Sequence, residues 1–186
     1  MDVYKKIPAM ENGRYLLRSI FAEDADDLLK VYSDEKSVPL FNSDNCHGDD
    51  FHYTTIERMN QAIEFWNMSY KNKYFVRWTI VKKETDEIIG SVELFHRDAE
   101  DYFTDCGLLR FDLRSDFEKA DVIESIVSLI LKDAFELFNC SMIATKAIPI
   151  AAERIRGLLK LGFDSSKEKL IGHDGSEYGD YFVRFR

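Results

Sequence analysis

Long apolar runs are what this 186-residue chain lacks most plainly. No stretch approaches the roughly 18 consecutive apolar residues that a membrane helix requires. Met1 leads into Asp2 and Lys5-Lys6 without an apolar segment, so no signal peptide is expected and the reading is a cytoplasmic protein outside the membrane. Positive charge is also scarce. Lys and Arg number 25 against 34 Asp and Glu, a net charge of −9, which argues against a non-specific grip on nucleic acid or on an anionic membrane. The three cysteines, Cys46, Cys106 and Cys140, are odd in number and widely spaced, which fits free thiols better than a disulfide framework. There is no internal repeat and no low-complexity segment. With 45% hydrophobic and 32% charged residues, the chain reads as one folded domain, 1–186, able to bury a sizeable core.

Residues 15–20 read as a short strand. A helix follows from Glu23-Asp24 to about Tyr32, with acids in its first turn and Leu28, Leu29 and Tyr32 facing inward. From 33 to 53 the periodicity is lost, and the stretch is a loop long enough to be functional. Thr54-Thr55 caps a helix to about Tyr70, with Ile56, Met59, Ile63 and Trp66 at helical spacing. Residues 74–81 and 88–96 form a hairpin. In it Val76, Trp78 and Ile80 alternate with Arg77 and Thr79, the pattern of a strand with one buried face. After an acidic loop, residues 106–113 form a strand, a long apolar helix follows, and 142–148 is another strand. A second helix ends at Leu161-Gly162-Phe163. Residues up to Leu170 have strand character, Gly172-His173-Asp174-Gly175 is a turn, and 181–185 is the last strand.

The strand–helix–strand unit from 104 to 163 sets a helix N-terminus, with free amides and partial positive charge, beside a strand end. In an α/β protein that is a place for an anionic ligand.

This order, with certain short motifs, resembles the GCN5-related N-acetyltransferase (GNAT) family, in particular its ribosomal-protein alanine acetyltransferase-like branch. Tyr15-Leu-Leu-Arg18 with Glu23-Asp-Ala-Asp26 looks like the family's opening strand and helix. Ile89-Gly90-Ser91-Val92 looks like its central "IG" strand, Asp105-Cys106-Gly107-Leu108 is similar to "E-I-G-Y", and 158–163 ends on "L-G-F". The resemblance implies an α/β (α+β) fold: a mixed, mostly antiparallel sheet of about seven strands with flanking helices, and a splayed pair near 106–113 and 141–148. It implies acetyl-CoA as cofactor, its pantetheine arm on the main chain of Phe111, Asp112 and Leu113. Its pyrophosphate would lie on the turn and helix start at Glu118, Lys119, Ala120, Asp121 and Val122. The family's Q/R-x-x-G-x-G/A reads Ser115-Asp116-Phe117-Glu118-Lys119-Ala120 here, with Glu118 in place of a glycine. The last helix carries Ala151 and Arg154 where the branch has Asn and Ser, and it lacks the tyrosine that some members use as general acid.

Acetyl transfer to an amine needs a base and a cradle for the oxyanion. Asp105 stands where related enzymes carry a glutamate with that role, and Glu93, between Val92 and Leu94, could face substrate; each also reads as a surface carboxylate. Arg110 and Arg114 could meet phosphates or pair with neighbouring acids. Cys106 reads as core. Cys46, His47, Asp49, Asp50 and His52 match no standard zinc spacing, so no metal is expected. The expected function is N-acetyl transfer to a primary amine on a small molecule or a peptide N-terminus, without nucleic acid. The alternative is a GNAT-shaped binding or regulatory module that no longer uses acetyl-CoA. A homodimer through a sheet edge stays open.

Overall fold

Two short strands begin the chain, β1 (Met10–Glu11) and β2 (Tyr15–Ser19), in a computed structural model that describes residues 2–186. Helix α1 (Ala25–Tyr32) follows a 3-10 turn, and helix α2 (Ile56–Lys71) follows the long loop. The α2 start is local chemistry: the Thr55 hydroxyl accepts from the Arg58 amide at 3.2 Å. Strands β3 (Val76–Lys82), β4 (Glu87–Arg97) and β5 (Cys106–Leu113) form an antiparallel meander. Helix α3 (Ala120–Leu137) then crosses over to β6 (Met142–Lys146), which runs parallel to β5. After α4 (Ala152–Lys160) come β7 (Asp164–Ser165), β8 (Leu170–Ile171), β9 (Glu177–Tyr178) and β10 (Tyr181–Phe185). The main sheet has the order β1-β2-β3-β4-β5-β6-β10-β7, and β8 pairs only with β9.

The expected mostly antiparallel sheet is present, with eight strands where about seven were expected; the additional one is the two-residue β1. The stretch after Phe163 is two short strands in two different sheets, joined by a loop. No helix among the described residues is long and apolar enough to cross a membrane.

One face of the sheet is ordinary core. Val76, Trp78, Ile80, Val92, Leu94, Leu109, Phe111 and Leu113 pack against Ile123, Ile126, Val127 and Ile130, which recur at helical spacing along α3. The other face departs from the alternation reading. Arg77 and Thr79 do not face solvent; they are buried, as are Ser91, Glu93 and Asp112, because α1 and α2 cover that side. Alternation showed which residues share a face, but it could not show whether a polar face would be roofed.

Most of that polar face is satisfied internally. Arg77 donates through Nε and Nη2 to Glu93 Oε2 (3.2 and 2.6 Å) and through Nη1 to Asp112 Oδ2 (3.1 Å), Ser91 Oγ (3.0 Å) and the Tyr32 hydroxyl (2.8 Å). Its guanidinium also lies 4.3 Å over the ring of Trp66. Tyr32 donates to Asp112 Oδ2 at 2.7 Å and packs between Phe41, Tyr53 and Trp66.

The feature that positions the site is where β5 and β6 part. They pair from Cys106↔Met142 to Leu109↔Thr145 and no further, while β5 stays paired with β4 as far as Gly90↔Leu113. Residues 110–113 therefore have no strand partner on the β6 side. The motif glycine Gly90 has a steric role here. A Cβ at that position would stand 2.1 Å from the Asp112 carbonyl oxygen, so only glycine lets β4 lie this close to the opened half of β5.

Gly90→Ala should destabilise the protein by about 1–3 kcal/mol, since the obstacle is backbone that cannot rotate away; urea unfolding measures it. Arg77→Met should cost about 3–5 kcal/mol, because it strands Asp112 in the interior and leaves Glu93 to Arg110 alone. The same titration checks both, and an Arg77→Met loss below about 1 kcal/mol would mean that the network is dispensable.

Candidate active site

Where α1, α2 and the 33–53 loop roof the polar face they leave a cavity of about 390 Å³. Its walls carry five aromatic side chains (Phe51, Tyr53, Phe65, Trp66, Phe75) beside the polar Asn45, His47, Asp49 and Arg58, and its floor is Arg77, Glu93 and Arg110. Glu93 faces Arg110 in the β4–β5 register, and Arg110 is the first β5 residue beyond the last pair with β6. The cavity floor therefore meets the opening in the sheet.

Glu93 Oε1 accepts from Arg110 Nη1 at 3.0 Å while Oε2 is held by Arg77. Burial alone would raise the Glu93 carboxyl, but the two guanidiniums outweigh it and hold the group below its ordinary value. Asp112 goes the other way. Burial raises it despite Arg77 and Tyr32, and its Oδ1 has no hydrogen-bond partner.

The loop that forms one wall is pinned to both lips of the opening. Lys146, the last residue of β6, reaches both Asp44 carboxylate oxygens at 2.7 Å, and Arg110 Nη2 donates to the Asp44 carbonyl at 2.9 Å. The Tyr181 hydroxyl also donates to Asp44 Oδ2 (3.1 Å). Asn45, His47 and Phe51 are left-handed (φ 60°, 55° and 62°), a conformation that non-glycine residues hold only where their surroundings impose it.

At the far end of the opening lies the turn before α3. Asp34, just past α1, anchors it: Oδ2 accepts from the Ser115 amide (2.9 Å) and the Ser37 hydroxyl, and Oδ1 from the Lys36 amide. Slight burial works against ionisation, but the hydroxyl and amide of Ser115, with these other donors, hold the carboxyl down to about 2. The Lys119 amide turns back to the Phe117 carbonyl, and the helical ladder starts with Ile123 on the Lys119 carbonyl. The Ala120 amide is taken by Glu153 Oε2 from α4 at 2.9 Å. The amides of Asp121 and Val122 lie in the first helical turn as further donors.

The two departures in the sequence motifs meet here. Arg154 is 1% exposed, and its Nε and Nη2 donate to Glu118 Oε1 and Oε2 at 2.6 and 2.9 Å. Its Nη1 donates to the Leu40 carbonyl at 2.8 Å, and its guanidinium lies 4.1 Å over the ring of Phe111. Phe111 packs on the α3 side of the sheet, whereas Leu40 belongs to the loop on the α1–α2 side. One side chain thus spans the opening between β5 and the chain beyond β6.

The residues singled out from sequence are distributed unevenly. Phe111, Asp112 and Leu113 lie on the opened half of β5, and Glu118, Lys119, Ala120, Asp121 and Val122 form the turn and first helical turn at its end. Glu93 lies on the cavity floor. Asp105 does not join them. It precedes β5 at the opposite end, half-exposed and left-handed (φ 47°), with its carbonyl accepting from the Ser141 amide and its carboxylate 3.9 Å from His96. Five residues of strand, roughly 17 Å, separate it from Arg110. Matching the motif placed Asp105 at the strand start, but the strands open at the other end. Arg114 pairs with Glu87 and Asp116 rather than entering the cleft. Cys106 is core, its thiol pushed by burial up to about 12. Sequence reasoning missed Arg77, Asp44, Lys146 and Tyr181. Only the charge of Arg77 inside an otherwise apolar strand gave a signal.

The family model described as the acetyltransferase (GNAT) domain matches residues 14–164. An uncharacterized N-acetyltransferase of Bacillus subtilis (strain 168), YoaA, is 22% identical over 161 residues, 84% of this chain and 82% of that protein. Among solved structures, the ribosomal-protein-S5-alanine acetyltransferase from Vibrio fischeri superposes with a TM-score of 0.69 over 96% of both chains, at 19% identity. Microcin C7 self immunity acetyltransferase MccE, in complex with acetyl-CoA and AMP, gives 0.70 over 94% of both chains at 13% identity. At such identities the structural likeness speaks for the fold, and the family match carries the rest. With its parted central strands and its matched span from β2 to β7, the chain belongs to the GNAT acetyltransferase family and is an acyltransferase enzyme.

Proposed function

We propose that the protein moves an acetyl group from acetyl-CoA directly to a primary amine that enters the aromatic-walled cavity. The observation that carries this reading is the junction of that cavity, through the Glu93–Arg110 pair, with the unpaired half of β5. The frame suits the donor in part: the strand edge at 110–113 is open on one side, and the Asp121 and Val122 amides are first-turn donors. When bound, acetyl-CoA supplies an activated thioester carbonyl. Everything else is the work of the chain.

Glu93 is the group we assign to the amine. Three guanidinium hydrogen bonds leave a lone pair on Oε1, enough to accept an N–H and hold the nitrogen at the floor. Held anionic by Arg77 and Arg110, it orients the amine better than it takes up a proton, so the proton departs to solvent. Asp105, remote from this floor, has no part in it. The thiols do not serve as nucleophiles either: burial raises Cys46, which lines the cavity, as well as Cys106, so neither is a ready thiolate. The acceptor's body would be apolar or aromatic to suit Phe65, Trp66 and Phe75, on a small molecule or at a peptide N-terminus.

A second reading has one observation in its favour. The Arg154–Glu118 pair stands in the opening, as it would in a GNAT-shaped binding module that had given up acetyl-CoA.

The test is release of free thiol from acetyl-CoA in the presence of a panel of amines, aromatic amines and apolar N-terminal peptides included. Turnover that depends on the amine is expected, and Glu93→Gln should lower kcat/KM by about 10-fold or more while the melting temperature reports folding. No turnover with any amine, from protein that is folded and binds acetyl-CoA, would remove the amine acceptor from the reading.

A further inference from the structure

We propose that Arg154 and Glu118 form an internal latch that closes the donor slot and, through Leu40, ties that closure to the wall of the acceptor cavity. The inference rests on the donor reading above. It deepens it by assigning two residues that the ordinary family pattern does not foresee.

Geometry carries the closure. β5 has no partner on the β6 side past Leu109, yet the space is not open: the Arg154 guanidinium stacks on Phe111 within it and is 1% exposed. Glu118, its side chain 8% exposed in the pair, supplies two carboxylate oxygens to Arg154. Glu153, the next residue to Arg154, sets a carboxylate oxygen on the Ala120 amide. The chain's own cation and two of its own carboxylates thus occupy the strand edge and the helix start together. An anionic thioester ligand running from the Ala120–Val122 turn along Phe111 would meet Glu118 first and Arg154 next. When Glu118 swings out, the same guanidinium becomes a cation facing that ligand. The pair therefore excludes the ligand while made and can favour it once broken.

The coupling is equally local. Arg154 Nη1 is held by the Leu40 carbonyl, four residues before Asp44, which Lys146 and Arg110 pin across the opening. From Asn45 to Phe51 the same loop lines the cavity in a backbone that keeps three non-glycine residues left-handed. Freeing Arg154 removes one of the ties that keep this wall in place. Entry of donor and adjustment of the acceptor wall are then one event, reciprocal in their energetics.

The experiment is calorimetric titration with coenzyme A of the wild type, Glu118→Gln, and the double variant Glu118→Gly/Arg154→Ser, which removes both charges so that neither is left buried alone. Hydrogen exchange across 38–52 and 110–113 is read on the same unliganded proteins. Glu118→Gln, which keeps the Arg154 cation, should bind coenzyme A at least 10-fold tighter than the wild type, with the double variant between them, and the double variant should exchange faster in both segments. Equal affinity in all three proteins would overturn the latch while leaving the donor reading intact. Tighter binding without faster exchange at 38–52 would overturn the coupling to the cavity wall. Binding by none of them would overturn the donor reading and the latch together, in favour of the module that does without acetyl-CoA. Should the double variant melt far below the wild type, Glu118→Gln against wild type decides alone, and unchanged affinity there counts against the latch.

Discussion

Arg77 carries its positive charge into the interior, where only neighbouring side chains can balance it. It stands in the middle of the sheet, on a face that also carries Thr79, Ser91, Glu93 and Asp112, and α1 and α2 cover all of them. Covering a face of this kind is costly unless its charges are met from within. Arg77 meets two carboxylates, a serine and a tyrosine hydroxyl, and Trp66 lies across its guanidinium. Glu93 is shared onward with Arg110, whose Nη2 reaches the Asp44 carbonyl, and so the network extends from the centre of the sheet into the long loop. Such an arrangement adds less stability than an apolar one of equal volume, and its better-attested use is to fix one arrangement among several. Here it fixes the depth and charge of the cavity, because the floor of the cavity is the same set of residues.

The second organising fact is that two central strands part company. Parallel pairing of β5 with β6 stops at Leu109 and Thr145, and an opened pair leaves main-chain groups that need partners or water. Three cations gather at this opening: Arg110 and Lys146 near its apex, and Arg154 farther along. Each is anchored to the 33–53 loop, at Asp44 or at Leu40. Apart from one 3-10 turn at Val38–Leu40 the loop is irregular, and these side-chain contacts, one ion pair and two hydrogen bonds to carbonyls, hold it where three non-glycine residues are left-handed.

Much of the fold was legible from the chain. The helical spacing of Met59, Ile63 and Trp66 and the apolar faces of β3 and α3 correspond to what the structure contains. So did the motif order that resembles a GNAT acetyltransferase, which agrees with the family match over residues 14–164. Legibility stopped where the meaning of a residue depends on a partner distant in sequence. Glu118 and Arg154, 36 residues apart, read as two separate losses of family pattern, whereas in space they form one bidentate pair. Asp105 read as either a catalytic or a surface carboxylate, and only the folded chain set it half-exposed at the end of β5 opposite the opening.

Periodicity and turn chemistry are local, so most of the elements, their order, the apolar face of the sheet and the family could be read along the chain. Partnership across the fold is not local. Folding alone roofs the second sheet face, holds Glu93 anionic between two arginines and sets Arg154 in the gap between parted strands. The physical reason is the same in each case. The state of a charge is set by what surrounds it after folding, and the chain lists its charges without saying which will meet.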